Sequence, residues 1–319
     1  MSRLEKELQQ VQNTIQKNIR RPKGKLGEAV RYAFSKPGKQ LRPSFVLLFG
    51  KMGESNREQK LINIAGSIEI LHNATLIHDD IIDNSNVRRG RASVQAKYGK
   101  TIALYAGDFL FALSLQLLSE NTSKITNLRA NGSTMQKILA GETTQFGNEY
   151  DITITEEEYL EQIRGKTASL FGYACYIGAL EGGLSKRLAR SAQEVGLLFG
   201  QAFQLRDDIL DYTASTTELK KPVLSDVVNG VYTGPLIFAL KKDSSGKLRN
   251  LVKKGKKLNS AQLEQIDLLV SELGGIRHAQ DLANDFTNSA LALLEKNFAE
   301  YPGYEKVADI VRKMLTRNC

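Results

Sequence analysis

No proline occurs between Pro43 and Pro222. Proline removes an amide donor and clashes with the preceding helical turn, so a long span without it leaves room for unbroken helices. Apolar residues recur at helical spacing in two stretches of this span, LINIAGSIEILHNATLIHDDIID from Leu61 and SAQEVGLLFGQAFQLRDDILDY from Ser191. In TITEEEYLEQI, Thr155 with Glu158 three residues on reads as a capping box opening another helix. Alternating strand patterns are nearly absent. The pattern predicts an all-α fold of long helices.

Segments rich in turn residues are expected to be loops: SKPGKQLRP, NTSKITNLRANGS, and the long TASTTELKKPVLSDVVNGVYTGP, whose length suits a lid. The run IALYAGDFLFALSLQLL carries Asp108 and Gln116 and is read as too short and too polar to span a bilayer, hence as a buried helix. The two cysteines, Cys175 and Cys319, offer neither a disulfide framework nor zinc spacing, and MSRLEKELQQ is too polar for a signal peptide. Both points suggest a cytoplasmic protein. The net charge of +9 suits phosphorylated ligands, and the excess is spread along the chain rather than gathered in one stripe.

The stretch LIHDDIIDNSNVRRG concentrates the chemistry. On a helix turning about 100° per residue, Asp79 and Asp83 share a face, His72 lies within about 20° of it, and Asp80 points roughly 100° away. Thr75 and Ile68 lie near the same stripe. Carboxylates four apart repel by a few tenths of a kcal/mol, and a hard divalent cation such as Mg²⁺ would offset that. A solvated charged face is the plainer explanation of one such turn. The chain then repeats the device: GQAFQLRDDILDY holds Asp207, Asp208 and Asp211, with Gln204 one turn earlier and helical glycines at Gly196 and Gly200 that suit close helix approach. The two DDxxD turns together read as two walls of one metal site.

Such a site receives phosphates, and cations must cover the oxygens that the metal does not. Candidates are Lys39 and Arg42 in GKQLRP, Arg88 and Arg89 in RRG, Lys166 with Thr167 in GKTAS, and Lys221 in LKKPVLSD. GKTAS is not a nucleotide-binding P-loop, because Leu160 stands where the first glycine is required.

In this order the motifs resemble those of the trans-isoprenyl diphosphate synthase (polyprenyl synthetase) family: G-K-x-x-R-P, an Asp-rich motif followed by R-R-G, K-T, and F-Q-x-x-D-D-x-x-D. AGETTQ from Ala140 is also similar to the family, and the likeness covers residues 36 to 240. The resemblance implies an all-helical fold, a single large bundle around a deep central cavity forming one domain over residues 1–319. It implies a homodimer, or a heterodimer with a small subunit, that condenses isopentenyl diphosphate head-to-tail onto an allylic diphosphate. It implies about three Mg²⁺ per site, with Mn²⁺ as a substitute, bound by Asp79, Asp83 and Asp207, and with Asp80, Asp208 and Asp211 acting through waters or behind the ligands. It implies that Lys39, Arg42, His72 and Arg89 hold isopentenyl diphosphate, and that Arg88, Lys166, Thr167, Gln204 and Lys221 serve the allylic diphosphate. Lys166, Thr167 and Gln204 would be the residues nearest the reacting carbon. Two positions depart from the family: Leu224 stands at a usual glycine, and Val231 at a usual lid lysine.

Product length is expected to follow from residues before Asp79, at about 5.4 Å of helix per turn. Ile68, Leu71, Ala74 and Thr75 are not aromatic, and the RRGRASVQAKYG context resembles the long-chain type. An all-trans product of about six to eight isoprene units for quinone side chains is the expectation, on a shaft running down the helix turn by turn. The alternatives are a shorter farnesyl- or geranylgeranyl-type product, or one subunit of a heterodimer with a small partner. Transient membrane-surface contact for product release is a further expectation. A terpene cyclase would not need Lys39, Arg42 and a second DDILD. A nucleic-acid-binding protein would not present paired carboxylate turns to phosphates.

Overall fold

The computed structural model describes every residue except 1, 37, 54, 123, 214–223 and 317–319. Among the described residues the chain is helical apart from connecting turns and one two-residue hairpin, in which Val87–Arg88 (β1) pairs antiparallel with Arg91–Ala92 (β2). The expected helical class is what the protein adopts. The expected capping box is present too: Thr155 accepts from the Glu158 amide and opens α8, Glu156–Ile163.

The chain divides into two compact units. The first comprises Met1–Gly132, Tyr173–Gln193 and Glu300–Val307. Its centre is α4, Glu58–Ile82, apolar on nearly all sides. A helix of that kind must be surrounded. It packs against α1 (Arg3–Asn18), α3 (Leu41–Gly50) and α6 (Lys100–Asn121). Its crossing with α6 is close. Ser67 Oγ donates to the Ser114 carbonyl at 2.9 Å and Ser114 Oγ returns a bond to the Ser67 carbonyl at 3.0 Å. These bonds satisfy both buried hydroxyls without a larger side chain between the helices.

Two sequence expectations need correction here. The helix α6 is longer than the apolar run inside it, and it is long and apolar enough by length and composition to cross a membrane. It is also only partly buried. Ala103, Ala106, Leu110, Leu113 and Leu117 face inward, whereas Leu104, Tyr105 and Leu115 are exposed. The apolar residues continue around the helix, so composition alone could not distinguish the buried side. The second correction concerns NTSKITNLRANGS. Rather than a loop, most of it opens α7, Ile125–Gly147. Its asparagines form part of the buried side: Asn127 donates to the buried Glu181, and the Tyr173 hydroxyl donates to the Asn127 carbonyl at 3.2 Å. Asn, Gly and Ser signal turns only while their polar groups lack a partner inside the fold.

The second unit comprises Ser133–Gly172, Glu194–Ala299 and Ala308–Cys319. Its core joins Tyr159 and Ile163 of α8, Leu205 and Ile209 of α10 (Lys186–Thr213), Leu236 to Leu240 of the helix Gly234–Lys242, and Ala279 and Ala283 of the helix Gly275–Phe298. Leu224 belongs to this core at 2% exposure, with φ +57°. The left-handed backbone is the reason glycine suits this position. Here a leucine takes the same conformation, its side chain held by burial.

Candidate functional site

The C-terminal end of α4 carries the first acidic turn as the helical spacing predicts. His72, Thr75 and Asp79 are half-buried on one stripe, Asp83 caps the helix and is exposed, and Asp80 points into the protein. Asp80 accepts from Arg88 Nε at 2.8 Å and Nη2 at 2.7 Å, both on Oδ1. This aspartate therefore holds an arginine, while Asp79 and Asp83 keep the outward stripe.

The hairpin presents Arg88 and Arg89 side by side. Arg89 has φ +52°. It is clasped by the segment ahead of α3: its Nη1 donates to the Lys36 carbonyl, and Lys36 Nζ donates to the Arg89 carbonyl, each at 3.1 Å. The glycine of GKQLRP has a direct role. A Cβ on Gly38 would lie 2.9 Å from an Arg89 guanidinium nitrogen. Lys39 is exposed beside it, and Gln40 turns left-handed to start α3.

Arg42 Nη1 lies 3.1 Å from His72 Nε2. Arginine can only donate, so Nε2 accepts and the imidazole proton sits on Nδ1. Burial, followed by the charges of Arg42, Arg89 and Arg88, holds the His72 pKa well below its usual value. The histidine is neutral and offers one N–H. A residue the sequence reasoning passed over joins this group. Glu69 is 4% exposed on α4, one turn before His72, and its carboxylate and main-chain oxygens take the Asn73 amide at 3.4 and 2.8 Å. Its signal was available: a glutamate inside the apolar run IEIL.

The second acidic turn ends α10. Asp207 and Asp211 are half-buried, and Asp208 is buried. Tyr159 Oη donates to Asp208 Oδ2 at 2.5 Å and Gln204 Nε2 donates to Oδ1 at 2.8 Å. Burial outweighs these bonds and raises the Asp208 pKa to about 7. Gln204 in turn accepts from Thr167 Oγ1 at 2.7 Å. Thr167, Gln204 and Asp208 thus form one fixed relay.

Thr167 and Lys166 sit on a π-helical turn, Arg164–Ala168, between α8 and α9 (Ser169–Glu181). Single π turns inside helices frequently mark functional positions. Two glycines allow other helices to reach it. A Cβ on Gly141 of α7 would lie 2.5 Å from the Lys166 amide nitrogen, and one on Gly200 of α10 would lie 2.5 Å from Ala168 Cα. Glu142, the next residue of AGETTQ, pairs with Lys166 Nζ at 2.8 Å. Gly141→Ala is therefore expected to destabilise the fold by about 1–3 kcal/mol through overpacking against backbone. A thermal melt checks this, and an unchanged midpoint would count against the close approach.

Hard carboxylate oxygens at accessible helix ends suit Mg²⁺. Among the described residues no three His, Cys, Asp or Glu side chains converge to hold an ion by themselves. Lys221 lies outside the described residues. Of the four positions expected to govern product length, Ile68, Leu71 and Ala74 are buried and Thr75 alone has open surface. The Thr75 hydroxyl donates to the His72 carbonyl at 2.8 Å.

With two aspartate-rich helix ends and their cationic neighbours in place, the comparison with known proteins is specific. Residues 23–269 match the polyprenyl synthetase family profile, and the chain belongs to that family. Heptaprenyl diphosphate synthase component 2 of Geobacillus stearothermophilus is 32% identical over 295 residues, covering 92% of this chain and 90% of that one. Among solved structures, the geranylgeranyl pyrophosphate synthase of Lactobacillus brevis aligns with a TM-score of 0.92 at 32% identity, covering 99% of this chain and 98% of that one. The heptaprenyl diphosphate synthase of Staphylococcus aureus aligns with the same TM-score at 28% identity, covering 100% and 99%.

Proposed function

We propose that this chain is a Mg²⁺-dependent trans-polyprenyl diphosphate synthase, joining isopentenyl diphosphate to an allylic primer such as farnesyl diphosphate to make long all-trans chains. The observation that carries the reading is that each aspartate-rich helix end is tied to its own cationic or dipolar group: Asp80 to Arg88 in one unit, and Asp208 to Gln204, and through it to Thr167, in the other.

Asp79, Asp83 and Asp207 would hold the metal, which when bound neutralises the negative charge that builds on the leaving diphosphate. Asp80 holds the Arg88 guanidinium, and the Tyr159–Asp208–Gln204 bonds fix the residue next to Asp207. Lys166, Arg88 and Lys221 add cations for the allylic diphosphate. The oxygens of Thr167 and Gln204 offer dipoles to the allylic cation. Lys39, Arg42, His72 and Arg89 orient the second diphosphate, with neutral His72 giving its single N–H. No side chain is assigned as the base, and the departing diphosphate takes the proton released on bond formation.

The exposed apolar residues Leu104, Tyr105 and Leu115 of α6 suit a dimer contact. A two-component enzyme is the second reading, favoured by the name of the Geobacillus relative, which is one component of its synthase. Incorporation of labelled isopentenyl diphosphate into solvent-extractable product tests the proposal. It is expected to require an allylic diphosphate and Mg²⁺ and to stop on chelation. Incorporation that survives complete chelation would contradict it.

A further inference from the structure

We propose that Arg91 is a positioning residue of the isopentenyl diphosphate subsite: it pins the hairpin of β1 and β2 to the end of α2 (Gly24–Ala33) and so fixes where Arg89 stands. The inference rests on the subsite assigned above.

A hairpin of two residues per strand does not hold its own place in water, so contacts from outside must set it. Its tip is Arg89 and Gly90, at φ +52° and +75°. A two-residue turn of this kind needs the left-handed region at both positions, which glycine enters freely and arginine does not. A side chain persists there when its surroundings over-determine it. Arg91, the last residue of RRGR, supplies such a hold. Its Nη2 donates to the Tyr32 carbonyl at 2.7 Å and its Nη1 donates to the Ser35 hydroxyl. Tyr32 belongs to the last turn of α2, where a cation is favourable beside the terminal carbonyls. The Arg91 guanidinium carbon also lies 4.3 Å from the centroid of the Tyr32 ring. Tyr32 returns a bond, its hydroxyl donating to the Ala92 carbonyl at 2.9 Å. Just past α2, Lys36 exchanges its two bonds with Arg89. Arg91 therefore fixes both the strand that follows Arg89 and the segment that clasps it. Tyr32, Asp80, Arg88, Arg89 and Arg91 line one small pocket together. Arg88 has its own hold in Asp80, so loss of Arg91 should fall on Arg89 and hence on isopentenyl diphosphate. Placement of a guanidinium before the ligand arrives lowers the ordering cost of binding. Lysine would carry the same charge without the planar fork that bonds two acceptors and stacks at once.

The test is isothermal titration of isopentenyl diphosphate onto the full chain, joined to steady-state kinetics, for Arg91→Lys and Arg91→Met. Both variants are expected to weaken isopentenyl diphosphate binding, and to raise its KM, by about fivefold or more, with kcat and the KM for farnesyl diphosphate changed less than about threefold. If Arg91→Lys keeps full affinity while Arg91→Met loses it, Arg91 acts through its charge alone and the positioning role is overturned. A purely structural role would lower the melting temperature and leave that KM in place, which would also overturn the inference. Arg89→Gln is the reference. If it weakens isopentenyl diphosphate and neither Arg91 variant does, Arg91 has no positioning role. If Arg89→Gln itself leaves the affinity unchanged, the subsite assignment fails. Should the Arg91 variants not fold, Tyr32→Phe removes only the hydroxyl bond to β2. It is expected to weaken the same constant by about twofold to threefold, and an unchanged constant would likewise overturn the inference.

Discussion

Replacing Asp79 or Asp207 by alanine is expected to lower turnover by about 10³-fold or more while leaving the fold intact. The loss follows from the charge on the leaving group, which without metal would have to be carried by arginine and lysine alone; removing one preorganised electrostatic partner typically costs about 10² to 10³ in kcat. The fold should survive because both residues are only half-buried at helix ends. Asp79 also gains from losing its repulsion with Asp83, by a few tenths of a kcal/mol. Asp80 differs in kind. It is buried and holds Arg88, so Asp80→Ala is expected to lower stability as well as activity. Turnover and thermal melts on the three variants separate these roles. Near-normal turnover in Asp79→Ala or Asp207→Ala would overturn the metal assignment.

Thr75→Phe is expected to shorten the product. Thr75 is four residues before Asp79 on the same side of α4 and is the member of its set with open surface. A phenyl ring there would block a growing chain about one helical turn from the carboxylate. Ala74→Phe makes an informative contrast. Ala74 is fully buried, so the ring would overpack the core, at a cost of about 1–3 kcal/mol. Chromatography of the products decides the matter, and an unchanged length for Thr75→Phe would contradict the shaft assignment.

The stripe on α4 was legible because helical periodicity places His72, Asp79 and Asp83 on one side whatever the rest of the fold does. The capping box at Thr155 was legible for a similar reason: its donors and acceptors lie within four residues of one another. What escaped the sequence depends on contacts between distant segments. The π turn at Arg164–Ala168 has no local signature, and only Gly141 and Gly200, approaching from other helices, show why that backbone is accommodated. The helical start of α7 was hidden by turn-favouring residues, of which Asn127 finds its partner in the buried Glu181. Glu69 was passed over although a glutamate inside the apolar run IEIL signals a buried charge, because the run does not say which groups it meets. Leu224 takes a left-handed backbone, φ +57°, a conformation that favours glycine and that no local pattern in the sequence announces.

The most direct measurement is the chain length made by the purified protein alone from farnesyl diphosphate, isopentenyl diphosphate and Mg²⁺. Thr75 leaves the open part of the α4 stripe free of an aromatic block, so the product should be an all-trans diphosphate of about six to eight isoprene units, built along the helix at about 5.4 Å per turn. A product that stops at farnesyl or geranylgeranyl length would contradict the long-chain account, and no product until a second subunit is added would show that the chain is one component of a two-part enzyme.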